Sequence, residues 1–259
     1  MISIETYFQN IYKRKSFHLF RDTLTVSSEE LSELNDFIKE VEPLEKDIKY
    51  EIKVVKESDT TCHRGAEYCV LFYSEAKGDY LRNIGYIGEQ IDLYLTSKNI
   101  GTLWFGIGKP KIKNDTNLEY VIMLAFSKVK FDTFRKNMFK SKRKDLSEVW
   151  SGEYLPFSDV IRFAPSACNS QPWFVSREDD ISVYRYKEPG KRGIMPKDKV
   201  TIYNRIDSGI FLFFFDVLLT YYQYDYTKVL FHDDGDSSRE KTLIAKIKID
   251  MEHKNKKSN

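Results

Sequence analysis

A short polar stretch between an apolar segment and a predicted strand holds the residues best suited to binding chemistry. It spans residues 164–173, and Ser166 and Asn169 lie in it between two prolines. Their hydroxyl and amide groups can donate and accept hydrogen bonds, and backbone amides of such a turn can also face a ligand. The stretch therefore predicts either a plain helix–turn–strand joint, satisfied internally, or a site for a planar polar group.

Two basic clusters could hold a phosphate. Arg14, Lys15 and Ser16 place two cations and a hydroxyl at the end of an amphipathic helix predicted over residues 5–13, and residues 140–144 carry four cations in five positions. Cations bind phosphate oxygens through charge-assisted hydrogen bonds. A basic run more often lies on a solvated face, so each cluster is consistent with an anion site or an exposed surface.

The glycine-containing segment 102–110 lacks the spacing of a nucleotide-binding loop. A Walker loop needs a glycine five residues before its Gly-Lys pair and a hydroxyl after it. Here Leu103 precedes Gly108-Lys109 and Pro110 follows. The G-x-G-x-x-G fingerprint is also absent, so the sequence predicts no dinucleotide-binding fold.

Composition argues against several classes of function. The chain has 259 residues, with 41 Lys and Arg against 39 Asp and Glu, and this balance argues against a dedicated nucleic-acid binder. No basic start followed by an apolar run predicts a signal peptide, and the most apolar run, residues 212–219, reads as a buried helix rather than a membrane span. We therefore expect a cytoplasmic protein with no membrane or nucleic-acid partner.

The three cysteines show no disulfide or metal-binding pattern. Cys62, Cys69 and Cys168 lack C-x-x-C spacing, and an odd number fits reduced thiols of the cytosol. His63 beside Cys62 could ligate a metal only with distant partners, so no metal site is predicted. Cys168 has no partner histidine nearby in sequence and is expected to be a small packed thiol rather than a nucleophile.

Alternating helical and strand patterns predict an α+β fold. Ser27 and Glu30 form a capping box ahead of a helix, and Gly101 is expected to cap the long helix over residues 79–98. Further helical spacing covers residues 157–163 and 205–221. Strands are predicted at residues 48–55, 66–73, 120–129, 173–175, 181–186, 229–232 and 243–249, a charged loop at 189–199 and a frayed tail at 252–259.

The two long helices indicate a weak internal repeat. Residues 82–87 read R-N-I-G-Y-I and residues 204–210 read N-R-I-D-S-G-I, in a similar order of elements. The repeat predicts two similar halves, residues 1–143 and 144–259.

Residues 164–173 read A-P-S-A-C-N-S-Q-P-W, which resembles the flavin-contacting signature A-P-S-A-x-N-x-Q-P-W of the nitroreductase family. The members of this family are FMN-dependent oxidoreductases. The resemblance implies a nitroreductase-like α+β fold. It also implies that one segment of this chain contacts FMN, namely Pro165, Ser166, Ala167, Cys168 and Asn169.

Residues 14–18 are similar to the family's R-x-S-x-R/K opening, whose Arg and Ser contact the FMN phosphate and ribityl chain. The resemblance assigns those contacts to Arg14, Ser16 and the neighbouring Lys15. His18 stands where the family has a second cation.

Two more segments resemble the family. Residues 102–110 are similar to its G-L-G-x-x-W-x-G segment, whose backbone amides approach the flavin N5 and O4 edge, and this implicates Trp104, Phe105 and Gly106. The basic run resembles the family's K-x-R before P-L-x-E-I/V and implies that Arg143 reaches the phosphate, with Lys142 or else Lys140 beside it.

The resemblance implies hydride transfer from NADH or NADPH to flavin N5, then to a nitro compound, a quinone or a similar acceptor. The flavin performs this chemistry, so no acid, base or nucleophile is assigned. In the family, FMN lies where two subunits meet, whereas both sets of residues lie in one chain here. We therefore expect the two halves to imitate a homodimer, with a complete site in one chain.

That pseudo-dimer would contain a second, equivalent site, which the sequence predicts to be empty. Residues 41–46 carry Glu42 and Glu45 and no Asn, and the second half opens at Lys144 without R-x-S. Acidic groups repel phosphate. Two other functions stay open: a flavin-binding module for sensing, storage or other redox chemistry, and an adaptor that lost its cofactor.

Overall fold

The computed structural model describes residues 2–187, 193–235 and 240–250. The chain divides into two compact units, Met1–Lys140 and Ser141–Asn259. Part of the predicted charged loop, residues 189–192, and the predicted tail lie outside the described residues.

The first unit packs helices against an antiparallel sheet with the strand order β1-β2-β4-β3. Its elements are α1 (Ile4–Lys13), α2 (Ser28–Glu40), β1 (Tyr50–Lys56), β2 (Tyr68–Ser74), α3 (Tyr80–Ser97), β3 (Ile100–Trp104) and β4 (Glu119–Lys128). Helix α3 is the buried centre of this unit, since Ile84, Ile87 and Ile91 are each 0% exposed. Burial of apolar side chains on this scale is the main source of its stability.

The ends of the first-unit helices follow from particular side chains. The capping box at Ser27 is present: its hydroxyl accepts from the Glu30 amide, and the Glu30 carboxylate accepts from the Ser27 amide. The predicted cap at Gly101 is wrong. Helix α3 ends at Ser97, Asn99 adopts the left-handed backbone with φ of 60°, and Gly101 lies within β3. Asparagine tolerates that conformation better than most residues.

Gly101 serves a packing role instead. A Cβ atom there would lie 2.8 Å from the Phe17 ring, so only glycine lets this ring pack against β3.

The second unit has a five-stranded sheet with the order β5-β6-β7-β9-β8, in which only the β5–β6 pair is parallel. Its elements are α4 (Leu146–Val149), β5 (Trp150–Gly152), α5 (Ser158–Ile161), β6 (Trp173–Arg177), β7 (Ile181–Tyr186), α6 (Val200–Tyr221), β8 (Asp225–Leu230) and β9 (Lys241–Asp250). Trp173 stacks on Phe211 of α6 at 4.6 Å between ring centroids. Helix α6 is buried along most of its length, as predicted from its apolar run.

Several boundaries differ from prediction. The apolar segment 157–163 forms only the short α5, and α6 begins at Val200 rather than at residue 205. Strands β3 and β5 were not predicted, because they are short and their sequences lack alternation. β8 begins at Asp225 rather than at residue 229 and ends at Leu230.

The two units share one arrangement of elements. In each, an antiparallel hairpin precedes a long buried helix and a second antiparallel hairpin follows it. The order β1-β2-β4-β3 of the first unit corresponds to β6-β7-β9-β8 of the second. The β5 strand is the addition that breaks this correspondence.

Matching contacts within each unit support this correspondence. On α3, Asp92 accepts hydrogen bonds from Thr102 and Trp104 of the next strand. On α6, Asp216 accepts from Tyr226 and Lys228 of the next strand.

The backbone repeats as well. The helix ends carry left-handed Asn99 and Gln223, with φ of 60° and 58°. The corresponding residues of the two units are separated by one constant interval along the sequence. The pairs are Asp92 and Asp216, Asn99 and Gln223, Thr102 and Tyr226, and Trp104 and Lys228. These contacts thus recur in the two units at positions outside the weak sequence repeat of residues 82–87 and 204–210.

Candidate functional site

Arg14 lies at the end of α1, where the helix stops, and is 5% exposed. Its Nε donates to the Oδ2 atom of Asp92 at 2.7 Å, and its Nη2 lies 3.4 Å from the Ser16 hydroxyl oxygen. Burial alone lowers the pKa of Arg14, but the carboxylates of Asp92 and Glu89 raise it above its ordinary value. Arg14 is therefore a fixed cation directed toward Ser16, the other residue of the predicted phosphate motif.

Asp92 links two of the predicted cofactor residues. It is fully buried on α3 and accepts from Thr102 Oγ1 at 2.5 Å and from the indole Nε1 of Trp104 at 3.0 Å, as well as from Arg14. The Trp104 ring packs directly over Gly88, where a Cβ atom would lie 2.3 Å from it. Asp92 was not predicted, although an acidic residue within the apolar stripe of a helix was a signal for it.

Glu89 is a second buried carboxyl group on the same helix. Its Oε1 lies 4.0 Å from Arg14 Nε, and neither of its oxygens has a hydrogen-bond partner within the described part of the chain. Burial, followed by the neighbouring charge of Asp92, raises its pKa well above the usual range for glutamate. Glu89 therefore binds a proton more readily than an ordinary glutamate does.

Two further cations accompany Arg14. Lys15 Nζ donates to the backbone oxygen of Thr133 and lies 4.7 Å from the centre of the Phe17 ring. The Arg135 amide donates to the backbone oxygen of Lys13 at 3.2 Å, which places Arg135 beside this segment.

Two of these cations have pKa values lowered in part by a neighbouring cation. Burial and then Arg14 lower the pKa of Arg135, and burial and then Arg135 lower the pKa of Lys15. The three like charges form an anion-attracting group. Arg135 was not predicted, because a single cation among aromatic and charged residues has no distinctive pattern.

The remaining first-unit candidates lie in other surroundings. His18 is exposed. Phe105 and Gly106 follow β3 and are half-buried, and the Phe105 ring lies 5.4 Å from the Arg64 guanidinium. Lys140 is exposed at the end of the unit.

In the second unit, residues 164–171 form a tight polar turn, which we call the elbow. Its amides bind within the unit: Ala167 N donates to both carboxylate oxygens of Asp207 at 3.1 Å, and Gln171 N donates to the Ser166 hydroxyl oxygen at 2.9 Å. Asn169 N and Ser170 N donate to backbone oxygens of the turn at 3.0 Å. The expectation that amides of this turn face a ligand is therefore wrong for these four.

The elbow has an unusual backbone. Cys168, Asn169 and Gln171 have φ values of 50°, 56° and 49°, in the left-handed region that costs most residues about 1–2 kcal/mol. Cys168 is exposed, so the prediction of a packed thiol is wrong. The reason is its position at the tip of the turn rather than against the core.

The basic run and the elbow meet in the second unit. Arg143 Nη1 donates to the Asn169 side-chain oxygen, and Arg143 Nη2 donates to the backbone oxygen of Phe163 at 3.2 Å. The Asn169 amide group donates to the backbone oxygen of Lys142 at 2.8 Å. Three predicted cofactor residues, Lys142, Arg143 and Asn169, are thus brought together.

Gln171 completes this junction. Its side-chain oxygen accepts from the Lys144 amide at 2.8 Å, and its backbone oxygen accepts from Lys144 Nζ at 3.2 Å. Burial lowers the pKa of Lys144. Gln171 was part of the recognised motif but was not assigned a role; the structure shows that it holds the start of the second unit against the elbow.

The described residues contain no group of three or more His, Cys, Asp or Glu placed to hold a metal ion. Within the same ranges, no helix combines the length and hydrophobicity required to cross a bilayer.

Comparison with solved structures shows a similarity of fold. The fold is similar to that of a Thermotoga maritima protein described as a "putative nitroreductase", with a TM-score of 0.59 and 18% identity over 95% of this chain and 94% of that one. A nitroreductase family protein from Clostridium difficile aligns with 60% of this chain and 100% of its own, at 18% identity and a TM-score of 0.42. A third, from Clostridium novyi, aligns with 52% and 98%, at 16% identity and a TM-score of 0.39. A search of the curated proteins gives no match to this sequence.

The sequence itself matches a family model described as "Putative TM nitroreductase" over residues 6–218. This match includes most of α1, Arg14, the helix that carries Asp92, and the elbow. Because it covers most of the chain, the chain belongs to this nitroreductase family.

Proposed function

We propose that the chain is an FMN-dependent oxidoreductase that passes hydride from NADH or NADPH to a nitro compound, a quinone or a similar electron-poor acceptor. Family membership supports an oxidoreductase, and proteins of this family generally bind flavin. When bound, FMN would supply the hydride chemistry, and the protein would bind and orient it.

The observation that carries the proposal is the buried Arg14, fixed by Asp92 and directed at Ser16. A buried guanidinium with an adjacent hydroxyl suits a phosphate monoester, which accepts both kinds of hydrogen bond. Lys15 and Arg135 add positive charge next to it. This cation set fits the single terminal phosphate of FMN.

The elbow suits the planar polar part of the same cofactor. Ser166 Oγ accepts from Gln171 N, which leaves its hydroxyl hydrogen available for a ligand acceptor. Asn169 is exposed and engages each side-chain group once, so its amide retains a second hydrogen and its oxygen a second lone pair. We propose that these two side chains, rather than the engaged amides, contact the flavin.

The role of the protein residues is to bind and orient. The proposed contacts are made by cations, a hydroxyl and an amide, and none of these acts as acid, base or nucleophile. Cys168 is exposed but has no role in this mechanism.

We further propose that the two units are tandem halves imitating the family's dimer, so that one chain supplies both sets of residues. The matching strand order and the matching Asp92 and Asp216 contacts support this.

The cofactor can be identified directly. The purified protein, reconstituted with flavin if colourless, is denatured, and the released flavin is separated by chromatography. We expect FMN and not FAD, because the cations suit one terminal phosphate. Anaerobic addition of NADH or NADPH should then bleach the flavin absorbance. Recovery of FAD, or no binding of FMN, contradicts the proposal.

One observation favours a second candidate, an adaptor that has no cofactor. The four elbow amides donate within the unit and Asn169 makes two side-chain hydrogen bonds there, as in a plain structural joint. A flavin-binding module without turnover is a related alternative. A protein that stays colourless after incubation with FMN supports the adaptor, and one that binds FMN but is not reduced by NADH or NADPH supports the module.

A further inference from the structure

The corresponding carboxylates of the two units differ in the source of their cation. In the second unit, Asp216 receives Lys228 Nζ from β8, and the ion pair lies between that helix and strand. In the first unit, Trp104 occupies the corresponding strand position and brings no charge. The cation on Asp92 is Arg14, which comes from the predicted phosphate motif.

The hydrogen bond from Arg14 to Asp92 gives the Arg14 side chain a defined orientation. Asp92 Oδ2 accepts from Nε, the nitrogen nearest the side-chain stem, so Asp92 lies on the Nε side of the planar fork and leaves the outer edge, formed by Nη1 and Nη2, facing elsewhere. Nη2 lies 3.4 Å from Ser16 Oγ, and among the described residues Nη1 makes no hydrogen bond. This outer edge, with the Ser16 hydroxyl beside it, therefore has the geometry suited to a bidentate contact with phosphate.

Asp92 is itself held rigidly. Thr102 Oγ1 at 2.5 Å and Trp104 Nε1 at 3.0 Å fix its two oxygens from β3. The other nearby carboxyl, Glu89, is 4.0 Å from Arg14 and makes no hydrogen bond within the described residues. Asp92, rather than Glu89, is thus the group that determines where Arg14 points.

We propose that Asp92 is a positioning residue that aims Arg14 at the phosphate of FMN, with Thr102 and Trp104 fixing Asp92 in turn. The proposal deepens the proposed function and rests on it. Asp92 acts only through Arg14 and does not touch the ligand.

The test compares the affinities of FMN and riboflavin, which differ only in the phosphate. Dissociation constants are measured by fluorescence quenching for the wild-type protein and for Asp92→Asn, which keeps the shape and loses the charge. We expect Asp92→Asn to weaken FMN binding by about tenfold, as for loss of a charge-assisted contact, and to leave riboflavin binding unchanged.

The chain offers a matched control. Asp216→Asn removes the corresponding carboxylate of the second unit, and we expect it to lower thermal stability without changing either affinity. In the Arg14→Lys background, Asp92→Asn should cause no further loss of FMN affinity, because the fork that Asp92 orients is absent. If Asp92→Asn does not fold, Thr102→Val provides the test, with a smaller loss confined to FMN.

Several outcomes overturn the inference. They are equal losses of FMN and riboflavin affinity, no loss for either, or the same FMN loss in Asp216→Asn. A wild-type protein that binds neither flavin contradicts the proposed function itself, so the two failures are distinguishable.

Discussion

Asn169 is one of the two residues, with Gln171, at which the basic run and the elbow are joined. Its side chain accepts from Arg143 and donates to Lys142, so it orients a cation as well as offering its own remaining hydrogen-bonding capacity. If the elbow is only a structural joint, removal of the Asn169 side chain should change the stability of the protein alone. If the elbow binds flavin, removal of that side chain should also change the affinity for flavin.

We expect Asn169→Ala to weaken FMN binding several-fold without unfolding the chain. A lost hydrogen bond costs about 0.5–1.5 kcal/mol, and Arg143 would lose its anchor as well. Fluorescence titration and a thermal melt measure the two effects. Asn114→Ala is the control, since Asn114 also makes two loop hydrogen bonds, to Leu118 and Thr116, but is not a candidate cofactor residue. Unchanged affinity with a lowered melting temperature shows that the elbow is a joint.

Glu89 gives the protein a pH dependence of stability. Burial raises its pKa above the unfolded value of about 4.3. The folded state therefore holds a proton that the unfolded state releases, and this contribution is complete below the unfolded pKa and lost as pH rises toward the folded pKa. The charged groups that face it are Arg14, at the end of α1, and Asp92, on α3.

Glu89→Gln should remove this dependence, because glutamine is neutral at every pH. We expect the unfolding free energy of the variant, minus that of the wild type, to increase between pH 5 and pH 8 by up to about 1.4 kcal/mol per pH unit. Thermal melts at several pH values measure this as a rise in the midpoint of the variant relative to that of the wild type. Asp36→Asn, at an exposed residue of α2, serves as the control. A difference between variant and wild type that is constant with pH contradicts a protonated Glu89.

Contacts between residues were partly predictable from the sequence. The motif links Arg14 to Ser16, and in the structure Arg14 Nη2 lies 3.4 Å from Ser16 Oγ, whereas their phosphate-binding role stays a prediction. Asp92 and Arg135 were not predicted, because their roles depend on which residues the fold brings beside them. Cys168 was predicted as packed, since residue type favours burial of a free cysteine but does not report a left-handed turn.

At the scale of elements, helix α6 anchors the elbow, and helix α3 anchors the corresponding loop of the first unit. Asp207 of α6 accepts from Ala167 N, two residues after Pro165. Asn83 of α3 accepts from Glu45 N at 3.0 Å, two residues after Pro43. The same contact is thus made by a carboxylate in one unit and by an amide in the other, so a neutral acceptor is sufficient.

We therefore expect Asp207→Asn to keep the elbow and its FMN affinity, whereas Asp207→Leu should lose both. Burial raises the pKa of Asp207 well above its usual range, which also indicates that a neutral group suits this position. Leucine cannot accept from Ala167 N, and a buried amide without a partner costs about 1–3 kcal/mol. Affinity and melting temperature of the two variants check this. Loss of flavin in both would mean that the charge is required.

Long, regular elements were predicted well and short ones poorly. Helices α2, α3 and α6 and strand β7 follow from their periodicity and caps, with end shifts for α3 and α6. Strands β3 and β5 owe their conformation to pairing with β4 and β6 rather than to their own pattern. The helix end was misassigned to Gly101, because a glycine needed for packing against Phe17 looks the same in sequence as one needed for a cap.

At the scale of the whole molecule, the repeat is structurally regular but chemically unequal. In the first unit, the loop that corresponds to the elbow presents Glu45, whose carboxylate pairs with Arg82 Nη2 at 2.8 Å. Its neighbour Glu42 is held through its backbone by the Gln90 side chain. That loop has Leu44 and Asp47 where the elbow has Ser166 and Asn169, so it offers an anion where a flavin would need neutral donors.

We therefore predict one FMN per chain, with no requirement for a partner subunit. Glu45 and Asp47, already paired with Arg82 and Lys77, have carboxylates that accept but do not donate hydrogen bonds, so a second equivalent site should not bind. Titration of the apoprotein with FMN, read beside the mass in solution, measures the stoichiometry per chain. Arg14→Ala and Asn169→Ala, which lie in different units, should each weaken the same binding event in a monomer. Two flavins per chain would contradict this prediction, because the loop at Glu45 would then be a functional elbow. Binding only by a dimer would show that the tandem interpretation is wrong, because the partner chain would then supply the elbow.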